Sequence, residues 1–267
     1  MNKYTYYLFS IYKLLTGVKN WPLVVRIFMK IAPPSPYRIE LRQSGLQLKA
    51  RGVMDIWSIK ETFLDRFYER FGTRIEDGWT VVDIGGGIGD YTLFAATADP
   101  HGKVFAFEPF PESFTLLQEN LAANQATAGG VANVQAFAEA IWSQAGDLKI
   151  DSSAGEPGQF ISRSTDAQVD QSTRVPSISL EQAFARLQIE RCDLMKVDCE
   201  GAEYPILFNT PDRVLGRVQR IVMEYHDSVT SYTHSDMQEF LSAKGYAVRV
   251  VQNYVHADLG YLYAWRA

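Results

Sequence analysis

Long apolar runs and cysteine are both scarce in this sequence of 267 residues. No stretch of about 18 uncharged apolar residues occurs, so we expect no conventional membrane-spanning helix. Cys192 and Cys199 flank one predicted strand, and the chain between them spans roughly 23 Å when extended, which is too far for a disulfide. We therefore expect two free thiols in a reducing, cytoplasmic compartment. Two cysteines without a nearby histidine cluster also make no zinc site.

Basic residues are fewer than acidic residues over the whole chain. The net charge is −5, and the C-terminal two-thirds contain no stripe of basic and aromatic residues, so we expect no nucleic-acid partner. The hydrophobic share of 46% and the charged share of 21% are those of an ordinary globular protein. The length of the chain suits one domain with an N-terminal extension or two small domains.

Acidic residues are missing from residues 1–38, which makes this segment unlike the rest of the chain. Its cations are Lys3, Lys13, Lys19, Arg26, Lys30 and Arg38, and they stand among Tyr4, Tyr6, Tyr7, Phe9, Tyr12, Trp21 and Phe28. We predict two short helices, separated near residues 17–22, that either pack on the core or lie on an anionic membrane surface. We place the extension at residues 1–74 and the main domain at residues 75–267.

A glycine cluster follows the first strongly apolar run of the main domain, residues 81–84. The pattern predicts a strand, a tight loop and a helix, and its glycines let a ligand lie directly against the backbone. In a dinucleotide-binding loop a third glycine would stand at Asp90, where a carboxylate repels a diphosphate. S-adenosylmethionine, an adenosine ligand with ammonium and sulfonium groups, therefore fits better than NAD.

Strand and helix patterns then alternate with short connections, which predicts an α/β fold with a doubly wound, mostly parallel sheet and an antiparallel final strand. Before the sheet, a three-to-four spacing of apolar residues predicts one helix over residues 55–71. Residues 143–175 break the alternation, and we expect an irregular hairpin or a cover over one end of the sheet. Capping-box patterns at Ser179 and Ser235 predict two further helix starts.

Polar residues end several predicted strands, and in such a sheet the ligand site lies beyond these ends. They are Asp83, Glu108, Asp198, Glu200, Glu224 and His226. Glu108 stands about twenty residues after the glycine loop, where an acid accepts hydrogen bonds from ribose hydroxyls. An exposed strand-end residue is the alternative interpretation.

Three of these residues are candidates for a catalytic base. Asp198 and Glu200 bracket a tight loop, and His226 has a suitable intrinsic pKa. Alternatives stay open, because Glu200 could simply stabilise a helix N-terminus and His226 could be a structural histidine. Glu224 with Asp198 could instead hold a divalent cation, although no spacing in the sequence requires one.

Four segments, residues 83–92, 107–111, 195–203 and 224–226, resemble the FkbM family of S-adenosylmethionine-dependent methyltransferases. The segment 195–203, with its lysine, aspartate and Glu-Gly-Ala-Glu, is more specific than the glycine loop. Gly86 departs from the pattern, since the family commonly has alanine there. The resemblance implies a class I methyltransferase (Rossmann-like) sheet and methylation of a hydroxyl on a sugar, glycolipid or polyketide-like natural product.

The sequence thus predicts an O-methyltransferase that uses S-adenosylmethionine and a small-molecule or glycan acceptor, with a peripheral membrane contact through residues 1–38. The predicted cofactor-binding residues are Asp83, Gly85, Gly86, Gly87, Gly89, Asp90, Tyr91, Thr92, Glu108, Pro109, Glu139 and Ala140. The predicted catalytic residues are Asp198, His226, Glu200 and Glu224, and no metal ligands are assigned. The alternatives are an NAD-linked oxidoreductase and a non-catalytic donor-binding module.

Overall fold

The computed structural model describes residues 3–126, 131–151, 172–227 and 229–266. The α-helices are α1 (Lys3–Gly17), α2 (Trp21–Phe28), α3 (Val53–Ile59), α4 (Asp90–Ala98), α5 (Pro111–Ala123), α6 (Leu180–Arg186), α7 (Glu203–Phe208), α8 (Asp212–Leu215) and α9 (His234–Ala243). The strands are β1 (Tyr37–Glu40), β2 (Gln47–Ala50), β3 (Thr80–Ile84), β4 (Lys103–Phe107), β5 (Val134–Phe137), β6 (Ala140–Trp142), β7 (Gly146–Asp151), β8 (Ser172–Ser179), β9 (Leu194–Val197), β10 (Arg220–His226), β11 (Ala247–Gln252) and β12 (Leu259–Trp265).

A seven-stranded sheet in the order β11-β12-β10-β9-β3-β4-β5 forms the centre of the fold. Only β12 runs against the other strands, which confirms the predicted parallel sheet with its antiparallel final strand. The strand order reverses at β3, because β4 lies on one side of it and β9 on the other. Ile84 at the end of β3 is in register with Phe107 and Val197, so the loops after three strands meet at one edge.

A second sheet, β6-β8-β7, lies in the segment that interrupts the alternation. Strands β7 and β8 form the predicted hairpin and are paired out to Asp151 and Ser172, while β6 runs parallel to β8. The expected cover over the sheet depends on residues 152–171, which lie outside the described residues.

The N-terminal extension packs on the main core. Tyr6, Leu14 and Val24 of α1 and α2 are buried in one cluster with Trp79 and Val81 of the main domain. Of the two alternatives for the extension, packing on the core is therefore observed, and the boundary at residue 74 stays a prediction. No helix among the described residues has both the length and the apolar composition needed to cross a bilayer.

The single helix predicted over residues 55–71 is wrong, because three different turns replace it. The α-helix ends at Ile59, a π-helical turn spans Lys60–Asp65, Arg66 takes a left-handed conformation with φ 54°, and a 3₁₀ turn follows at Phe67–Glu69. Lys60 is fully buried, and its Nζ lies 2.5 Å from Oδ2 of Asp65. These side chains are five residues apart, a separation that suits the wider π turn. The ion pair therefore favours a π turn here over the α-helix that the apolar spacing predicts.

One of the two predicted capping boxes is displaced. The box at Ser179 and Gln182 is confirmed at the start of α6. The helix predicted to begin at Ser235 instead begins at His234, with Thr233 as its N-cap and Asp236 as the box partner. Asp227 accounts for the earlier start, since its carboxylate accepts hydrogen bonds from both the backbone and the ring of His234.

Candidate active site

A cavity of about 490 Å³ lies at the C-terminal ends of β3, β4, β9 and β10, and its size is within the range of small-molecule sites. The predicted residues that line it are Gly85, Gly86, Gly87, Asp90, Tyr91, Glu108, Pro109, Ala140, Asp198, Glu200, Glu224 and His226. The predicted residues outside its lining are Asp83, Gly89, Thr92 and Glu139. The Glu139 carboxylate pairs instead with Arg186, at 2.8 Å.

The glycine loop presents bare backbone to this cavity. Gly85 has φ 78°, and a Cβ there would lie 1.8 Å from the carbonyl oxygen of Asp198, so only glycine fits between the two strand ends. Gly87 has φ 54°, but a Cβ there would meet nothing within 4 Å. The loop is therefore packed against β9 at Gly85 and open to a ligand at Gly87.

Glu108 holds the loop in shape from the neighbouring strand. Its Oε2 accepts a hydrogen bond from the backbone N–H of Gly87 at 2.7 Å, and its Oε1 accepts one from Phe110 at 2.9 Å. Burial raises the pKa of this carboxyl to about 7, although both N–H groups favour the ionised form. Glu108 thus lies against the open part of the loop and is neutral in part of the molecules at neutral pH.

Lys196 ties β9 to the loop after β3. Its Nζ donates to the carbonyl oxygen of Gly85 at 2.7 Å and lies 3.2 Å from Oδ1 of Asp83 and 3.6 Å from Oδ2 of Asp198. Burial opposes its charge, but Asp83 and Asp198 more than offset this and raise the pKa of Lys196. Asp83 also accepts a hydrogen bond from Thr92 at 2.6 Å. These two predicted cofactor residues thus join β3 to α4 and stabilise the glycine loop between them.

His226 lies between two carboxylates on the opposite wall. Its Nε2 is 3.3 Å from Oε2 of Glu200, and its Nδ1 is 3.1 Å from Oε1 of Glu203. Burial opposes the charged ring, but the carboxylates, first of all that of Glu203, raise the pKa of His226 well above its usual value. Both ring nitrogens thus face carboxylate oxygens, an arrangement that favours the charged ring and suits His226 to hold Glu200 in position.

Glu200 is better suited to accept a proton than His226. Burial raises the pKa of its carboxyl to about 7, although the neighbouring His226 lowers it. Its backbone takes a left-handed conformation with φ 51°, which is uncommon for a residue with a side chain and is typical of strained functional positions. This conformation and the ion pair to His226 hold the Glu200 carboxylate at the cavity wall.

Glu203 is the support behind this pair. It is fully buried, and its oxygens accept the N–H groups of Cys199 at 2.9 Å and Gly201 at 2.8 Å. Asp198, Glu203 and His226 each offer one atom within 4.8 Å of the others, as metal ligands would. Since Glu203 is already bound to two N–H groups and Asp198 accepts from Tyr68 at 3.0 Å, we assign these atoms to hydrogen bonds.

Several lining residues are missing from the predicted site. They are Arg51, Glu61, Tyr68 and Lys196. Glu61 and Tyr68 come from the turns that replaced the predicted helix, so an error in secondary structure also hid two site residues. The signal for Lys196 was available, because it is a lone cation inside an apolar strand.

Carboxylates outnumber cations in the lining. The acidic lining residues are Asp55, Glu61, Asp90, Glu108, Asp198, Glu200, Glu224 and Asp258, while the basic ones are Arg51, Lys196, His226 and His256. Burial and then Asp198 raise the pKa of Glu224 well above its usual value. Raised pKa values leave several of these carboxyl groups partly protonated near neutral pH, so a cationic ligand, which stabilises their ionised form, suits the cavity better than a diphosphate.

Comparisons with known proteins agree on one family. Residues 83–248 match the family model described as the methyltransferase FkbM domain. The chain is 27% identical over 191 residues to the 31-O-demethyl-FK506 methyltransferase FkbM of Streptomyces tacrolimicus, covering 63% of this chain and 73% of that protein. It is 25% identical over 258 residues to the AMB antimetabolite synthetase AmbE of Pseudomonas aeruginosa, where the match covers 85% of this chain but spans only 12% of the relative.

The solved structure of a methyltransferase FkbM from Methylobacillus flagellatus has a similar fold. Its TM-score to this chain is 0.54 at 14% sequence identity, over 74% of this chain and 47% of that one. At this identity the similarity concerns the fold alone.

Proposed function

Because the chain belongs to the FkbM family of methyltransferases, whose methyl donor is S-adenosylmethionine, we propose that it methylates a hydroxyl oxygen of a sugar, glycolipid or polyketide-like natural product. The observation that carries the proposal is the acidic cavity, which has a bare glycine loop on one wall and Glu200 with its imidazolium partner on the other. The oxygen-directed methylation named for the Streptomyces tacrolimicus relative supports the hydroxyl acceptor.

The donor side of the cavity fits this cofactor. A ligand can lie against Gly87 where a Cβ would meet nothing, and Glu108 beside it can exchange hydrogen bonds with ribose hydroxyls. The surplus of lining carboxylates suits the sulfonium and ammonium groups of the donor. When bound, the donor supplies an electrophilic methyl group. The same charges disfavour the diphosphate of NAD, which is the alternative cofactor.

On the acceptor side, Glu200 takes the hydroxyl proton on one of its carboxylate oxygens. A pKa of about 7 makes this carboxylate an effective base near neutral pH. His226 holds Glu200 in place through Nε2, and Glu203 holds His226 through Nδ1. Asp198, which accepts a hydrogen bond from Tyr68 and lies 3.6 Å from Lys196, also lines the cavity.

We also propose that the protein acts in the cytoplasm. Cys192 is buried and forms no disulfide, as expected for a protein that stays in a reducing compartment.

Two measurements test the proposal. Calorimetric titration should show binding of S-adenosylmethionine and no comparable binding of NADH. Mass spectrometry of extracts incubated with the purified protein and labelled donor should then show a labelled metabolite or glycan whose label withstands conditions that cleave methyl esters. Donor binding without any labelled product from a broad set of extracts would favour the non-catalytic module, and a label on nitrogen or carbon would exclude the hydroxyl acceptor.

A further inference from the structure

The N-terminal helices expose an apolar surface on the side that faces away from the core. We call this surface the outer face, and it consists of Tyr4, Tyr7, Leu8, Phe9, Ile11, Tyr12, Trp21, Val25, Phe28, Met29 and Ile31. Leu8 is 69% exposed and Phe9 is 56% exposed. Within the described part of the chain, only Met54, Tyr232 and Tyr254 are other exposed large apolar residues. Apolar exposure is thus concentrated on α1 and α2.

Both helices carry a second apolar stripe besides the one that packs on the core. In α2 the buried residues are Val24 and Ile27, while Trp21, Val25 and Phe28 repeat at a spacing of four and three on the outside. A surface helix of a soluble protein has charged or polar residues in these positions. The outer stripe therefore needs an apolar partner of its own.

The charges around the outer face have a single sign. Lys3, Lys19, Arg26 and Lys30 are exposed, and the first acidic residue of the sequence is Glu40. The Lys13 ammonium turns inward to Asp65 at 2.7 Å, and Lys19 lies 3.4 Å from Glu40. Since the whole chain has a net charge of −5, the remainder of the protein is more acidic still. The N-terminal segment is thus basic and apolar, while the rest of the chain carries a net negative charge.

We propose that the outer face binds the surface of an anionic lipid bilayer, with α1 and α2 lying in the interfacial region. Aromatic rings such as Trp21 and Tyr12 favour the headgroup level, aliphatic side chains enter the acyl boundary, and the surrounding cations pair with anionic lipids. At 15 residues α1 is about 22 Å long, which suits a helix that lies on a bilayer. The acidic remainder is repelled by the same lipids, so the binding has one orientation.

A second copy of the chain is a poorer occupant of the outer face. A twofold contact would bring the exposed cations of one copy close to those of the other, with no acidic residue among residues 1–39 to separate them. Like charges at an interface oppose association. An anionic bilayer satisfies the apolar stripe and the cations together.

Vesicle co-sedimentation of the full-length protein tests the proposal. We expect binding to vesicles of phosphatidylcholine mixed with phosphatidylglycerol at low salt, and at least tenfold weaker binding to phosphatidylcholine alone, since each basic residue contributes about fivefold. Salt of about 1 M, which shortens the Debye length to about 3 Å, should weaken binding to the anionic vesicles. No sedimentation with anionic vesicles at low salt would overturn the proposal.

Two pairs of substitutions locate the binding surface. Arg26→Glu with Lys30→Glu, and separately Leu8→Ser with Phe9→Ser, should each weaken binding by about tenfold or more. Lys103→Glu with Arg174→Glu makes the same charge change at exposed residues away from the outer face and should leave most of the binding intact. An equal loss in this control, or a dimer that the Leu8→Ser, Phe9→Ser variant dissociates, would refute the bilayer as the partner. Donor binding, measured without vesicles, shows that each variant is folded and tests the methyltransferase proposal separately.

Discussion

A substitution at Gly87 can distinguish an effect on ligand binding from an effect on folding, because a side chain there would contact no other part of the protein. Gly87→Ala places a methyl group in open space at φ 54°, so we expect a loss of about 1 to 2 kcal/mol in the free energy of unfolding. The same methyl group would stand where we propose that the donor lies, so donor affinity should fall at least tenfold by calorimetry.

Gly45→Ala is the matched control for this substitution. Gly45 also has a left-handed φ, of 74°, and an open surrounding, but it lies in the turn between β1 and β2. It should lose similar stability and keep its donor affinity. Equal donor affinity in Gly87→Ala and the unaltered protein would show that the ligand does not pass over this part of the loop.

The proton-accepting role of Glu200 gives a pH-dependent prediction. Turnover should rise as the pH rises through about 7, because the carboxylate and not the acid accepts the proton. Glu200→Gln should lower kcat by a factor of ~10² to 10⁴ and remove this pH dependence. The measurement is the pH profile of kcat/KM with an acceptor found in the labelling experiment.

His226→Asn distinguishes a positioning role from a catalytic one. The imidazolium lowers the pKa of Glu200, so its removal should move the rising part of the profile to higher pH while much of the turnover at high pH is kept. If the variant is inactive at every pH, His226 itself is the base, and our assignment of the two residues is reversed.

At the scale of single elements, the π turn after α3 depends on a buried ion pair. Lys60→Met should lower the free energy of unfolding by about 3 to 5 kcal/mol, because it leaves the Asp65 carboxylate without its buried partner. Lys13→Met removes the other partner of the same carboxylate. Since the Lys13 side chain is 37% exposed, that change should cost at most about 1 kcal/mol. Urea denaturation measures both, and equal losses would show that Asp65 does not depend on Lys60.

The central sheet could be predicted from the sequence because its strands are short apolar runs punctuated by glycine and proline, which are local signals. The π turn could not, since the ion pair of Lys60 and Asp65 stands five residues apart, a spacing that helix periodicity does not contain. The displaced start of α9 has a similar cause, because Asp227 reaches it from outside the helix. Local sequence patterns thus predict which helices and strands form, whereas side-chain contacts such as those of Lys60 and Asp227 determine where a helix begins or ends.

In the candidate site, too, the residues at strand ends could be predicted from local patterns, whereas contacts between distant residues could not. Glu108 and Asp198 could be placed at the cavity from their positions at strand ends. The hydrogen bond from Tyr68 to Asp198 joins residues 130 positions apart, and no local pattern reports such a pair. The raised pKa of His226 also depends on Glu203, a residue 23 positions earlier, and no local pattern reports this contact either.

For the whole molecule, the buried carboxyl groups predict how stability depends on pH. Glu108 and Glu200 have a pKa of about 7 in the folded protein, against 4.5 when unperturbed. A raised pKa contributes stability that is fully present below about 4.5 and is lost as the pH rises through about 7. His226, with its pKa raised above 6.5, acts in the same direction at higher pH. For the almost fully buried Glu108, the shift corresponds to roughly 3 kcal/mol.

The ligand-free protein should therefore unfold at a lower urea concentration at about pH 8 than at about pH 5. S-adenosylmethionine should narrow this difference, because its positive charges favour ionised carboxylates. Glu108→Gln should also flatten the dependence, since an amide does not ionise. A urea midpoint that rises between these pH values would contradict the assignment of these carboxyl groups.

The end of the β7–β8 hairpin has a consequence for how such a protein can diversify. Because Asp151 and Ser172 are paired, the two residues that bound the segment 152–171 lie side by side. Each doubling of a loop's length costs only about 0.6 kcal/mol in closure entropy, so insertions and exchanges there are well tolerated. Leu148 on the same hairpin lines the cavity, whereas the glycine loop belongs to the central sheet. Exchange of the segment between these two residues, in evolution or by engineering, can thus change the acceptor preference while the donor-binding glycine loop stays the same.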